Sequence, residues 1–325
     1  MRFGTLIARR NAAESVVPFL DLQIIIGQFA VLFIIIALGF TASKLKALPQ
    51  DAGKVLTKIA LNITLPCTIL NSVVGGDLSI SGSGSFLFLL LSFLVIIVCI
   101  AVAIAGSRLF FGKKGDYVLY ACMIAFSNAG FMGFPMCQAI FGSESAFYVA
   151  LFNIPFNIII FAVCPFLIAG KGGKTNVRAL VSPTVIAAIC VIPLNAFGIK
   201  APGVIADVLR LVGSMTTPCT MIIIGITLAQ IAIRDIFSQW RLYPAALMKL
   251  ILIPVVVWLI FSQFVTDGLM LGVLVAISAM PSAAILAMFA IEYKGNERAV
   301  SGGIFITTLL SGATIPLVMY FLFIR

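Results

Sequence analysis

No histidine occurs among the 325 residues, and the seven cysteines, at positions 67, 99, 122, 137, 164, 190 and 219, lie in apolar segments with no CxxC pair. That removes zinc sites, haem ligation and a histidine-based triad, and leaves the thiols as small, soft packing groups. No two carboxylates fall inside the apolar stretches and Ser127 has no base to activate it, so the chain is not expected to be an enzyme. What remains is uncharged polar chemistry beside prolines and glycines. Ser127, Asn128, Gly130 and Pro135 fall within SNAGFMGFP (127–135), and Ser278, Pro281 and Ser282 within SAMPS (278–282). Asn62, Thr64, Thr68, Asn71, Thr216, Thr217 and Thr220 surround Pro66 and Pro218. Amides and hydroxyls of this kind break no bonds, but they can hold a ligand.

The elements that position these groups must be lipid-embedded helices. The chain is 62% hydrophobic and 10% charged, against roughly 45–50% and about 25% in soluble domains. Stretches such as IIIGQFAVLFIIIALGF (24–40) and FLFLLLSFLVIIVCIAVAIAG (86–106) reach the ~20 residues that cross a bilayer as helix. Hydropathy and the Gly, Pro and charge breaks predict an all-α polytopic membrane protein with ten transmembrane helices. They fall near 22–41, 54–73, 86–107, 117–141, 146–169, 179–197, 204–229, 243–264, 268–290 and 298–323. The second, fourth, seventh and ninth carry mid-span prolines, Pro66, Pro135, Pro218 and Pro281, among polar neighbours. Pro155 and Pro254 read instead as packing features, since proline is common in membrane helices.

An internal repeat supports this organisation. LNITLPCTILNSVVGG (61–76) and SMTTPCTMIIIGITLA (214–229) share Thr-x-Pro-Cys-Thr, with Pro66 and Pro218 152 residues apart. AFSNAGFMGFPM (125–136) pairs with AISAMPSAAILAM (276–288) at nearly the same offset. Five spans per half give a 5+5 inverted repeat, common in secondary transporters. The expected division is a tail (1–21), a first five-helix repeat (22–170), a cytoplasmic connection (171–178) and a second repeat (179–325). The net charge of +10 follows from loop lysines and arginines rather than from nucleic-acid binding. Lys44, Lys46, Lys54, Lys58, Arg108, Lys113, Lys114, Lys171, Lys174, Arg178, Arg234, Arg241, Lys294 and Arg298 lie on one side. Arg2, Arg9, Arg10, Lys200 and Arg325 lie on the other, and Arg210 and Lys249 sit within spans. The positive-inside rule then places both termini outside a bacterial-type inner membrane, with the three tail arginines dissenting. Residues 1–18 lack the apolar core and cleavage site of a signal peptide.

Non-helical backbone at membrane depth survives only where protein or a watery cavity surrounds it. Two helices interrupted at the midplane, in spans 4 and 9, would cross there with the N-termini of their second halves pointing inward. An anion can bind at such a crossing without any lysine, with Asn128 supplying an amide. The hydroxyls near Pro66 and Pro218 would form a facing wall, about half of them bonding back to their own helix. The expected function is a secondary transporter of a small organic anion, in the first instance a carboxylate. A channel or a substrate-sensing membrane protein on the same fold is the alternative.

With those residues in view, the chain resembles the auxin efflux carrier family, which includes plant auxin transporters and bacterial malate and malonate permease-like proteins. The resemblance rests on NITLPCTIL, on NAGFMGFP, on GITLA closing span 7 and on AMPSAAILAMFAIEYKGN (279–296). It implies a scaffold of spans 1, 2, 6 and 7, a mobile transport unit of spans 3–5 and 8–10, elevator-type alternating access, and a homodimer through the scaffold. It also implies substrate binding by Asn128 and a second crossover at Pro281. Plant members have a proline where this chain has Ser127, and the connection at 171–178 is too short for their long cytoplasmic loop. No cofactor or metal is expected, and a coupling ion, proton or sodium, is left open. The expected partners are the anion and the bilayer, with no nucleic acid.

Overall fold

Each proline in a lipid-embedded helix leaves a carbonyl without its usual donor, and how that carbonyl is satisfied decides where the helix continues and where it breaks. The computed structural model describes residues 22–49, 51–74, 82–111, 117–169, 182–231, 239–292 and 296–323. The tail at 1–21 and the connection at 171–178 lie outside them. Among the described residues the regular structure is helical and no strand is formed.

The first half runs α1 (Leu22–Lys44), α2 (Ala52–Ile59), a π-helical turn π1 (Ala60–Thr64), α3 (Leu65–Val74) and α4 (Gly82–Phe111). It continues with α5 (Tyr117–Ala125), α6 (Gly133–Phe141) and α7 (Ser145–Ala169). The second half runs α8 (Pro183–Ala196), α9 (Gly203–Ser214), α10 (Thr216–Gln230), α11 (Leu242–Leu247), a second π turn π2 (Met248–Leu252) and α12 (Ile253–Phe261). It ends with α13 (Gly268–Ala279), α14 (Ile285–Glu292) and α15 (Glu297–Phe323). Seven described stretches are long and apolar enough to cross a bilayer, and α8 and α13 are shorter apolar helices. The segments expected as spans 4 and 9 do not reach that length because each is split, into α5 and α6 and into α13 and α14.

The two π turns share a cause. Each ends two residues before a proline, Pro66 and Pro254. Widening the turn draws the backbone away from the proline ring without breaking the span. At π1 the Leu61 carbonyl takes a replacement donor from α8, the Thr184 hydroxyl at 2.5 Å. Pro135 and Pro218 need no such device, because they sit in the first turns of α6 and α10, where an N–H has no intrahelical partner to lose. Pro254, read from sequence as packing, therefore has a local consequence: it widens the turn that carries Lys249.

Helix packing relies on missing side chains. A Cβ on Gly39 of α1 would lie 2.6 Å from the Ile222 carbonyl oxygen of α10, and one on Gly225 would collide with the Ile36 carbonyl. The two glycines let the α1 and α10 backbones touch, the small-residue logic of membrane helix pairs. α3 packs against α8 and α9. Large apolar side chains such as Ile34, Leu38, Phe86 and Leu211 point outward, as suits a lipid solvent, while every residue of α13 except Leu269 is buried. The molecule is an integral membrane protein with its most enclosed helix leading directly to a break.

Candidate functional site

Helix α5 stops at Ala125 and α13 at Ala279, and the exposed backbone groups of the two breaks satisfy each other. The Asn128 N–H donates to the Pro281 carbonyl at 2.8 Å, and the Ala283 N–H donates to the Phe126 carbonyl at 2.9 Å. Ser127 and Ser282 face each other in this two-strand antiparallel bridge. The sequence expectation that spans 4 and 9 meet at their interruptions is thus met by direct backbone pairing. Here non-helical backbone is tolerated because its donors and acceptors are paired inside protein.

Side chains from neighbouring helices hold the bridge in place. Ser282 donates its hydroxyl to the Met123 carbonyl at 2.8 Å, and its N–H donates to Thr307 Oγ1 of α15 at 3.2 Å. Asn153 of α7 donates to the Ala129 carbonyl at 3.4 Å and to its own helix at Val149 at 2.8 Å. The Asn128 carbonyl accepts from the N–H groups of Met132 and Gly133 and so opens α6. Ser278 is spent on its own helix, donating to the Val275 carbonyl at 2.7 Å.

Asn128 differs from these. It is 7% exposed, and among the described residues its amide side chain has no hydrogen-bond partner. Next to it, Gly130 is half-buried, and a Cβ built there would meet nothing within 4 Å. A buried amide with two donors and an acceptor, held in place by bonds through its own backbone, has the chemistry to bind a polar ligand. Pro135 is buried in the first turn of α6.

The threonine-rich segments use their hydroxyls on other partners. Thr68 Oγ1 lies 2.7 Å from Thr216 Oγ1, donates to the Gly213 carbonyl at 2.9 Å and contacts the Thr64 carbonyl at 3.1 Å. Thr220 donates to the Thr216 carbonyl at 2.8 Å. Both are buried; Thr68 joins α3 to the α9–α10 bend, and Thr220 bonds back within α10. Asn62, on π1, is exposed. The structure therefore brings Ser127, Asn128, Gly130, Ser278, Pro281 and Ser282 together, and leaves Asn62, Thr68 and Thr220 without a described hydrogen bond to that group.

Sequence reasoning placed Lys249 within a span but gave it no role. Lys249 is completely buried on π2, and its Nζ donates to Ser127 Oγ at 2.7 Å and to the Ser278 carbonyl at 3.2 Å. A crossing of this kind can bind an anion without any lysine, but this one has a lysine bonded to it. The signal was available, because an ionisable residue inside an apolar span is by default a functional candidate. Its place in sequence, far from either break, hid the contact. Asn153 and Thr307 were missed for the same reason.

Comparisons with known proteins agree with this architecture. The membrane transport protein family matches residues 24–178 and 172–319. A transporter of Methanothermobacter thermautotrophicus, with no substrate in its name, is 27% identical over 290 residues, 87% of this chain and 94% of its own length. The transporter YfdV of Escherichia coli O157:H7 is 25% identical over 310 residues, 92% of this chain and 98% of its own. A Rhizobium meliloti protein provisionally named a malonate transporter is 26% identical over 208 residues, 60% of this chain and 64% of its own. With its described helices, its paired breaks and a family match over nearly its whole length, the chain belongs to the membrane transport protein family, that of the auxin efflux carriers.

Proposed function

We propose that this membrane transporter is a secondary carrier of small organic anions of the carboxylate class, binding them at Asn128 beside the crossing. The observation that carries the reading is the buried, unpartnered Asn128 amide at the paired breaks, two residues from Gly130, whose missing side chain leaves room beside it. The malonate assignment of the Rhizobium meliloti relative favours a carboxylate.

The mechanism we infer is a 5+5 inverted repeat of ten spans working as an elevator. In support, equivalent bonds recur at the repeat spacing: Thr68 to the Thr64 carbonyl, and Thr220 to the Thr216 carbonyl. Spans 1 and 7 pack together, as do spans 2 and 6, the pairs that an inverted repeat makes equivalent. This block is the scaffold, and the crossing with α4 to α7 and α11 to α15 is the unit that moves. Both termini lie outside in this arrangement, and two copies pair through the scaffold.

Counter-flow tests the carrier. Purified protein in liposomes preloaded with unlabelled malonate should transiently accumulate labelled malonate, or another dicarboxylate or monocarboxylate that raises its melting temperature. Flux that neither saturates nor shows counter-flow would turn the reading to a channel. The moving unit is tested at the contact of Phe33 in α1 with Gly312 in α15, where a Cβ on Gly312 would sit 2.9 Å from the Phe33 ring. Cysteines at both positions, in a background without native cysteines, are bridged with a short bifunctional thiol reagent. Binding should persist and transport should stop until reduction. Undiminished transport with the bridge formed would exclude motion between these units.

A further inference from the structure

We propose that Lys249 is the fixed countercation of the transport site, supplying the positive charge that a bound anion neutralises; this rests on the binding site proposed at Asn128. The ammonium is fully buried in mid-span, on the π turn that Pro254 imposes. A cation in that position is expensive and is normally offset by an opposite charge or by backbone carbonyls. Among the described residues no carboxylate pairs with Lys249, and the ion pair they do contain, Arg210 with Asp207, is exposed and distant in sequence. Its two recorded partners are both neutral and both belong to the crossing: the hydroxyl of Ser127 and the carbonyl of Ser278.

Ser127 is the residue before Asn128, so the charge is bonded to the same short segment that carries the unpartnered amide. A neutral donor would hold Ser127 equally well without the penalty of burying a charge. The ammonium is explained if its countercharge arrives with the substrate. Two consequences follow. The site rejects neutral isosteres of its substrate, because they leave the ammonium uncompensated. The empty site carries a buried positive charge, which opposes its passage through the membrane, so loaded sites cross more readily than empty ones and exchange outruns net uptake.

The probe is malonate, with the neutral malonamide as its isostere, measured on the full chain in detergent and in proteoliposomes. Wild-type protein should bind malonate about tenfold or more tighter than malonamide, as expected for hydrogen bonds reinforced by charge. K249R should keep most of that ratio, and K249Q should bring it close to one. In K249Q, net malonate uptake should also rise relative to malonate exchange, a change that a merely structural role would not produce. Equal binding of malonate and malonamide by wild-type protein overturns the proposal without any variant having to fold. So does a K249Q protein that keeps the wild-type ratio, and in that case the carboxylate site at Asn128 stands. Absence of binding by malonate and by a panel of mono- and dicarboxylates overturns the carboxylate reading and this inference together.

Discussion

Two regions of this protein carry the same sequence signal, proline among small polar residues in mid-membrane, and they resolve it in opposite ways. At Pro66 and Pro218 the chain stays helical: π1 relaxes the first proline, and the second sits in the opening turn of α10. The hydroxyls of Thr68 and Thr220 are used up on carbonyls and on Thr216. At Phe126–Asn128 and Pro281–Ala283 the helices end, and two strangers in sequence pair their backbones. The difference lies in the neighbours. Threonine can return a hydrogen bond to its own helix, whereas asparagine and glycine favour leaving it. The first region spends the hydroxyls of Thr68 and Thr220 on packing and leaves only the small buried hydroxyl of Thr64 without a partner, whereas the second keeps a whole amide in reserve.

The comparison is broken most severely by removing the crossing itself. Ala283→Pro deletes the N–H that donates to the Phe126 carbonyl, and should lower stability by about 1–3 kcal/mol while abolishing ligand binding. A thermal melt with and without ligand reads both. Binding that survives intact would show that the backbone pairing does not shape the site.

Asn128→Ala should separate the two quantities. We expect a loss of about 1.5–3 kcal/mol in the affinity for a charged ligand, with the melting temperature of the free protein nearly unchanged. Isothermal titration decides it. A variant that binds normally would make Asn128 a packing residue like Thr220.

On the scaffold side, Gly225→Ala places a methyl against the Ile36 carbonyl. Forcing α1 from α10 should cost about 1–2 kcal/mol, within the usual range for overpacking, with ligand affinity unchanged in the fraction that folds. Thr68→Val is the mildest probe. It removes the bonds to Thr216 and Gly213 and should cost about 0.6 kcal/mol, typical of hydrogen bonds between membrane helices. A loss of affinity in either variant would place the substrate against the scaffold wall, and the contrast between the two regions would need redrawing.

Composition and apolar run length by themselves determined that this chain lives in lipid, because no soluble surface can be made from 10% charged residues. The local content of SNAGFMGFP and SAMPS also determined where helices would fail, since backbone preference is a short-range property. Which hydroxyls would be idle was not legible. Thr68 finds Thr216 across 148 residues and Ser282 finds Met123 across 159, distances at which sequence spacing says nothing about contact. Lys249 shows the limit most clearly. The sequence places a lysine inside an apolar span, but tertiary structure alone sets its ammonium 2.7 Å from Ser127, 122 residues away. A buried charge is governed by the groups packed around it, and those are brought together by the fold.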